Sequence, residues 1–404
     1  MCSVVGEWHS TTRESIGVDA VSPHPNPLPV GEGDKDSLLI FRVLISVMSD
    51  SSDTKPVRAS EQLDWDALGA YARPKLRAVL GDRFDESAPL TVEQFHGGHS
   101  NLTYLLRFGD HEFVMRRPPF GPLALKAHDM AREYRILEAV HPVFPLAPRP
   151  FVLCEDKSVI GSVFYIMERR RGLVVRSDEP PELANRPAER RRVSEAMVAA
   201  LADLHNVDIS APNLSALGKP AGFVERQVTG WGERWQRSQT SKLPEMDMLA
   251  SWLAAHLPSE PARPTLVHGD FKLDNVMLDA GDPGRIVGVF DWEMCAIGDP
   301  LVDLGILLCY WVHTAKATQR DALTSVTDRP GWFTREEILV RYAEQTSFKL
   351  TNITFYEVFA VFKLTVVLQQ IFFRYHQGQT DDPRFATLDE RVEWLARIGA
   401  ALVE

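Results

Sequence analysis

The sequence predicts an α+β fold in which a small antiparallel sheet precedes a larger, mainly helical part. Three observations lead there. Residues 90–117 hold short alternating runs separated by glycine-containing turns, the pattern of hairpin-linked strands. From residue 188 onward the apolar residues recur every three or four positions, as they do on helices. Among those helices lies the stretch 266–303, where three short apolar runs are interrupted by His268-Gly269-Asp270 and by a turn rich in glycine and proline.

Composition narrows the function classes. A chain of 404 residues can hold two or three domains' worth of core, or two lobes sharing one cleft. Apolar content of 45% and charged content of 25% are ordinary for a globular protein. The net charge of −11 argues against nucleic acid as the main partner, because a phosphate backbone calls for a basic face. Cys2, Cys154, Cys295 and Cys309 show no paired spacing and read as small buried hydrophobes in a reducing compartment. No membrane partner is expected. Residues 38–48 fall well short of the roughly twenty that a bilayer requires, and Lys363, Gln369 and Gln370 mark 359–373 as a buried helix. The amino end lacks the pattern of a secretory signal, which makes the cytoplasm the expected location.

Taken in order, residues 1–60 carry a Pro/Gly-rich stretch and a polar one, and read as a disordered extension. Met48 is the expected true start of translation. Order is expected near Leu63, where Leu68, Tyr71, Leu76 and Leu80 predict a helix that Pro74 kinks or restarts. Strands follow at 90–95 and 102–108, joined by His96-Gly97-Gly98-His99-Ser100-Asn101. The bare backbone of such a tip can approach phosphates. Gly109-Asp110 is a hairpin turn of a favoured type and leads into a third strand, 112–117. A helix at 127–140 carries Glu133, and strands at 151–154 and 163–167 complete a five-stranded sheet. Glu168-Arg169-Arg170-Arg171-Gly172 is the extended link onward. Helices are expected at 188–206, 222–238, 246–257, 301–312, 335–347, 356–376 and 388–402. His205 reads as a core residue, Asp299 as a helix cap or loop brace, and Asp303 as a brace for the loop around Asp270.

The chemistry concentrates on a hairpin. Residues 276–278 and 286–290 pair across the turn 279–285, which brings Asp270 and Asn275 before the first strand close to Asp291 after the second. Three oxygen donors meeting at one point suit a hard divalent cation, and magnesium in particular takes one or two carboxylates plus substrate phosphates.

The arrangement His268-Gly269-Asp270-x-Lys272-x-x-Asn275, followed by Asp291-Trp292-Glu293, resembles the catalytic loop and metal-binding Asp of protein kinases. Its form is similar to that of the aminoglycoside phosphotransferases and choline kinases. The resemblance implies a bilobal protein-kinase-like fold, with an N-lobe at 61–168 and a C-lobe at 169–404. It also implies ATP and magnesium as cofactors, and transfer of the γ-phosphoryl group to a hydroxyl of a small molecule. By the same resemblance Asp270 accepts or orients the hydroxyl proton, Lys272 neutralises the phosphoryl group in flight, and Asn275 and Asp291 hold magnesium. The turn residues Gly97, Gly98, Ser100 and Asn101 would approach the nucleotide phosphates. Arg116 falls where kinases carry a lysine on those phosphates, and its planar guanidinium could bind them as a fork; Lys126 is the substitute. Glu133 would pair with that cation, and the backbone around Glu168 and Arg170 would meet adenine.

The stretches GGHSNLTYLLRFGDHEFVMRRPP and FVERQVTGWGERW look most similar to phosphotransferases related to the kinase domain fused to some acyl-CoA dehydrogenases. That likeness implies a hydroxyacyl or similar small acceptor. An aminoglycoside or choline-like amino-alcohol remains an alternative, disfavoured by the mixed charge of Asp389, Glu390, Arg391, Glu393 and Arg397. A nucleotide-binding pseudokinase scaffold is the alternative from another class. Acceptor identity, ATP against GTP, and oligomeric state are left open by the sequence.

Overall fold

The computed structural model describes residues 53–95, 101–120, 129–176, 178–313, 326–380 and 382–404. The expectations for residues 1–52, for Gly97, Gly98 and Ser100, and for Lys126 lie outside these residues.

The sheet has six strands, not the expected five. Strands β1 (Thr54–Lys55), β2 (Leu90–Phe95), β3 (Leu102–Phe108), β4 (His111–Arg117), β5 (Pro150–Cys154) and β6 (Phe164–Glu168) lie in the order β1-β2-β3-β4-β6-β5. Every neighbouring pair is antiparallel. The additional strand pairs Thr54 with Phe95, so described structure begins well before Leu63. Two residues carry too little periodicity to announce a strand. Helix α1 (Trp65–Leu80) begins on Asp64, whose side chain accepts the Ala67 N–H at 2.9 Å, and it runs unbroken through Pro74. Both Pro74 and Ala70 one turn earlier are exposed, so water can satisfy the carbonyl that the missing N–H leaves unpaired.

Alternation along the strands divides the core between the two sheet faces. Phe113 and Met115 of β4, with Phe164 and Ile166 of β6, pack with Leu68, Ala72 and Leu76 of α1. Val114, Tyr165 and Met167 point the other way, into a second core that runs without a break through helix α2 (Met130–Val140) into the helical part. Arg116 has the parity of Val114 and therefore faces that part.

The rest is helical: α3 (Pro187–Asn206), α4 (Pro212–Ser215), α5 (Phe223–Ser238), α6 (Pro244–Ala255), α7 (Leu301–Leu308), α8 (Arg335–Gln345), α9 (Ile353–His376) and α10 (Leu388–Ala401). The helix expected at 301–312 keeps α geometry only to Leu308 and continues as a π turn, Cys309–His313. Helix α9 is long and apolar enough to cross a membrane, yet most of it is buried inside the protein, against α5, α6, α7 and α10. It crosses α7 so closely that a Cβ on Gly305 would stand 2.4 Å from the Tyr356 carbonyl oxygen.

Two small ladders frame the stretch with the chemistry. Strand β8 (Thr265–Val267) pairs antiparallel with β11 (Ala296–Gly298). Strands β9 (Val276–Leu278) and β10 (Ile286–Val289) form the expected hairpin, extended by β7 (Leu173–Val174). The loop 268–275 and the segment 290–295 are thereby clamped between the same two ladders.

Candidate active site

A single buried carboxylate shapes the loop around Asp270. Asp303, in the first turn of α7, accepts the His268 N–H at 2.6 Å and the Gly269 N–H at 2.7 Å. Its Oδ2 also lies 3.3 Å from His205 Nε2, whose Nδ1 is 2.7 Å from the Tyr342 hydroxyl. Both sequence readings stand: Asp303 braces the loop, and His205 is a core residue. Asp299 also braces, accepting from the Leu301 N–H at 3.0 Å and the Tyr356 hydroxyl at 2.6 Å. Gly269 adopts φ 83°, and a Cβ there would fall 2.8 Å from Met294 Cβ, so the turn excludes larger residues.

His268 is fixed as a neutral imidazole. Its Nδ1 accepts the Asp270 N–H at 3.2 Å, which leaves Nε2–H to donate to the Phe290 carbonyl at 3.0 Å. Burial pushes its pKa down, against the pull of Asp303, Asp270 and Asp291. The ring also packs on buried Trp292, with centroids 4.7 Å apart.

On this frame the polar side chains converge. Asp270 Oδ2 accepts from Lys272 Nζ at 2.9 Å and from Asn275 Nδ2 at 2.9 Å, which leaves Oδ1 to face an incoming group. Burial alone would raise the Asp270 carboxyl, but Lys272 and Lys363 hold it below its ordinary value. Asn275 Nδ2 donates again to the Asp270 carbonyl at 2.8 Å, so the side-chain oxygen is the Asn275 atom left as a ligand. The Phe290 N–H donates to the Asn275 carbonyl at 2.8 Å, tying Asn275 to the residue before Asp291. Asp291 itself stands at φ 69°, a left-handed conformation that Asp tolerates better than most residues and that recurs at functional sites.

Arg116 joins the sheet to this cluster. One guanidinium nitrogen lies 2.5 Å from Glu133 Oε1 on α2, and the other lies 3.2 Å from Asp291 Oδ1. Burial pushes the Glu133 carboxyl up, with the charge of Arg116 working against it. Arg132 adds a second tie from α2, donating to the Glu293 carbonyl and, at 2.8 Å, to the Cys295 carbonyl.

The remaining predicted residues are spread more widely. Asn101 is buried at the entry to β3. Glu168 and Arg170 pair with each other at 2.7 Å, and Arg170 also donates to the Val287 carbonyl at 3.0 Å and the Pro145 carbonyl at 2.9 Å. Their side chains brace the link between the sheet and the helical part. Three residues near Asp270 were not singled out for chemistry by sequence: Tyr310, whose ring lies 4.6 Å from Lys272 Nζ, and the pair Lys363 and Trp231. Lys363 Nζ donates to the Gly269 carbonyl and stands 5.5 Å from the Trp231 ring centroid. The available signal was a lysine inside an apolar helix, which must find a partner.

Among the described residues no group of three or more His, Cys, Asp or Glu side chains is placed to hold a metal unaided. That does not suit a structural zinc. It fits magnesium, for which the Asn275 side-chain oxygen and the free oxygen of Asp291 would be the protein donors and phosphates would complete the shell.

Comparison with known proteins gives a consistent result. Residues 91–338 match the model of the phosphotransferase enzyme family. Acyl-CoA dehydrogenase family member 11 of Mus musculus is 34% identical over 357 residues, covering 87% of this chain and 45% of that protein. Family member 10 of the same organism is 34% identical over 329 residues, covering 81% of this chain and 30% of its own length. The chain thus spans less than half the length of these curated relatives. A crystal structure provisionally named an aminoglycoside phosphotransferase, from Ralstonia eutropha, superposes with a TM-score of 0.71 at 32% identity, covering 84% of this chain and 98% of that one. A choline kinase from Cryptosporidium parvum shares the fold with a TM-score of 0.55 at 12% identity, covering 84% of this chain and 98% of its own.

Proposed function

Because the chain belongs to the phosphotransferase enzyme family, we propose that it is a small-molecule kinase that moves the γ-phosphoryl group of ATP to a hydroxyl of a hydroxyacyl compound. The observation that carries this reading is the convergence on one point of Asp270, Lys272, Asn275 and the Arg116–Asp291 pair. In this reading residues 61–168 form the nucleotide-binding lobe and 169–404 the lobe with the acceptor pocket. The relatives whose names carry acyl-CoA dehydrogenation favour a hydroxyacyl acceptor over an amino-alcohol. The cytoplasm is the proposed place of action, in keeping with the buried, free thiols of Cys154, Cys295 and Cys309.

The residues divide the work as phosphoryl transfer requires, with positioning and charge stabilisation and no covalent intermediate. Asp270 Oδ1 orients the acceptor hydroxyl and takes its proton, while Lys272 and Asn275 fix the carboxylate through Oδ2. Asn275 and Asp291 hold magnesium. Arg116, oriented by Glu133, reaches for the nucleotide phosphates from the sheet side. When bound, magnesium would supply neutralisation of the phosphate charge.

The test is acceptor-dependent ADP release with hydroxyacyl compounds, aminoglycosides and choline-like alcohols, in wild type and Asp270→Ala. We expect turnover with a hydroxyacyl compound that falls by about 10³-fold or more in the variant, the scale seen when a proton-accepting group and its alignment are lost together. Turnover confined to aminoglycosides, the reading favoured by the name of the Ralstonia structure, would replace the acceptor and keep the enzyme. Tight ATP binding without turnover on any acceptor would leave a scaffold.

A further inference from the structure

Lys363 is the least expected charge in the molecule. It sits on α9, is 7% exposed, and lies among apolar neighbours of the core. An ammonium so placed is costly to bury without a carboxylate. Its hydrogen-bond acceptor is instead a neutral one, the carbonyl of Gly269 next to Asp270. An ammonium has three N–H donors, and this bond uses one. Asp270, the nearest negative influence, already has Lys272 as its ion-pair partner at 2.9 Å.

The Trp231 indole carries a second cation. Arg234, one turn along α5, lies over the same ring with its guanidinium carbon 4.5 Å from the centroid, against 5.5 Å for Lys363 Nζ. Neither side chain has a carboxylate within salt-bridge distance among the described residues, and the neighbouring Glu233 pairs with Arg237 at 3.7 Å. Two cations on one aromatic face repel each other, and the ring quadrupole returns only about 0.5–2 kcal/mol for each. The ring is buried and Arg234 is exposed, so the pair leads from the surface to the loop that holds Asp270. Burial pushes the Lys363 ammonium down from its ordinary value, and an approaching anion would reverse that shift.

We propose that Lys363 and Arg234, set on Trp231 beside Gly269–Asp270, form an oxyanion subsite that selects hydroxyl acceptors bearing a negatively charged group. The inference rests on the phosphotransferase reading for the identity of the Asp270 side as the acceptor side. The anionic group is a carboxylate of the acceptor itself or a phosphate carried by a thioester handle.

Binding separates these without any turnover. Full-length protein with magnesium and a non-hydrolysable ATP analogue is titrated calorimetrically with 3-hydroxybutyrate, its neutral methyl ester, and 3-hydroxybutyryl-CoA. We expect at least one anionic compound to bind about tenfold or more tighter than the ester, the size of a charge-assisted hydrogen bond. Tighter binding of the free acid identifies a carboxylate, and tighter binding of the thioester identifies its phosphates. Arg234→Gln and Lys363→Met should each remove most of that preference and leave ester binding within about twofold, and Lys363→Arg should restore it. Arg234 is exposed, so its variant folds whether or not the Lys363 variants do. Equal binding of ester and anions, a preference intact in Arg234→Gln, or no measurable binding of either anion overturns the subsite. Anion preference without phosphorylation of any acceptor would remove the kinase reading and leave the subsite standing.

Discussion

Arg116 donates to carboxylates from two different parts of the chain, Glu133 on α2 and Asp291 after β10. Its charge is permanent, so it is held where a phosphate would need it. Arg116→Ala removes that cation and leaves Glu133 buried without its partner. We expect the KM for ATP to rise by about tenfold or more, with a loss of about 2–4 kcal/mol in stability by urea titration. Lys272 supports a prediction in pH. Lys272 and Lys363 hold Asp270 below its ordinary pKa, so the ionised form persists as the pH falls. Removing a cation raises that pKa. The acid limb of kcat/KM in Lys272→Met should therefore move to higher pH than in wild type, read from the residual activity between pH 5 and 8 (about the range over which such limbs are resolved).

The loop 268–275 owes its shape to α7, α3 and α8, not to its own residues. Asp303 satisfies two consecutive buried N–H groups, those of His268 and Gly269, and is met in turn by His205. Asp303→Ala would orphan both donors. The expected cost is about 2–5 kcal/mol in urea denaturation, together with a fall in kcat larger than any change in the KM for ATP, because Asp270 loses its alignment while Arg116 keeps its own. The π turn Cys309–His313 is the second element-scale feature: it carries Tyr310 to within 4.6 Å of Lys272 Nζ.

At the scale of the molecule, the ties between sheet and helical part are few and polar: Arg116 to Asp291, Arg132 to the 293–295 carbonyls, and Arg170 to Pro145 and Val287. A nucleotide and its metal between the two parts would add to them. Magnesium with ATP at about one hundred times its Kd should stabilise the fold by about 2.7 kcal/mol, seen as a rise in Tm. Chelating the magnesium with EDTA should abolish most of that rise, since Asn275 and Asp291 would then contribute little to nucleotide binding.

The sequence by itself determined the order of elements, the β9–β10 hairpin and the polar set of the loop, because each is local. Alternation, turn chemistry and the spacing from His268 to Asp291 are all written within a few residues of one another. It also marked Glu133 as the partner of Arg116 through the three-residue logic of helix and strand faces. The strand β1 was illegible because two residues have no period, and the straight passage of α1 through Pro74 was illegible because it depends on which face meets water. Only the tertiary structure decided that Asp303 grips two backbone N–H groups 34 and 35 residues away, and that Lys363 and Arg234, 129 positions apart by number, share one indole. Long-range partners of this kind are set by packing between helices, and no local pattern encodes which side chains that packing brings together.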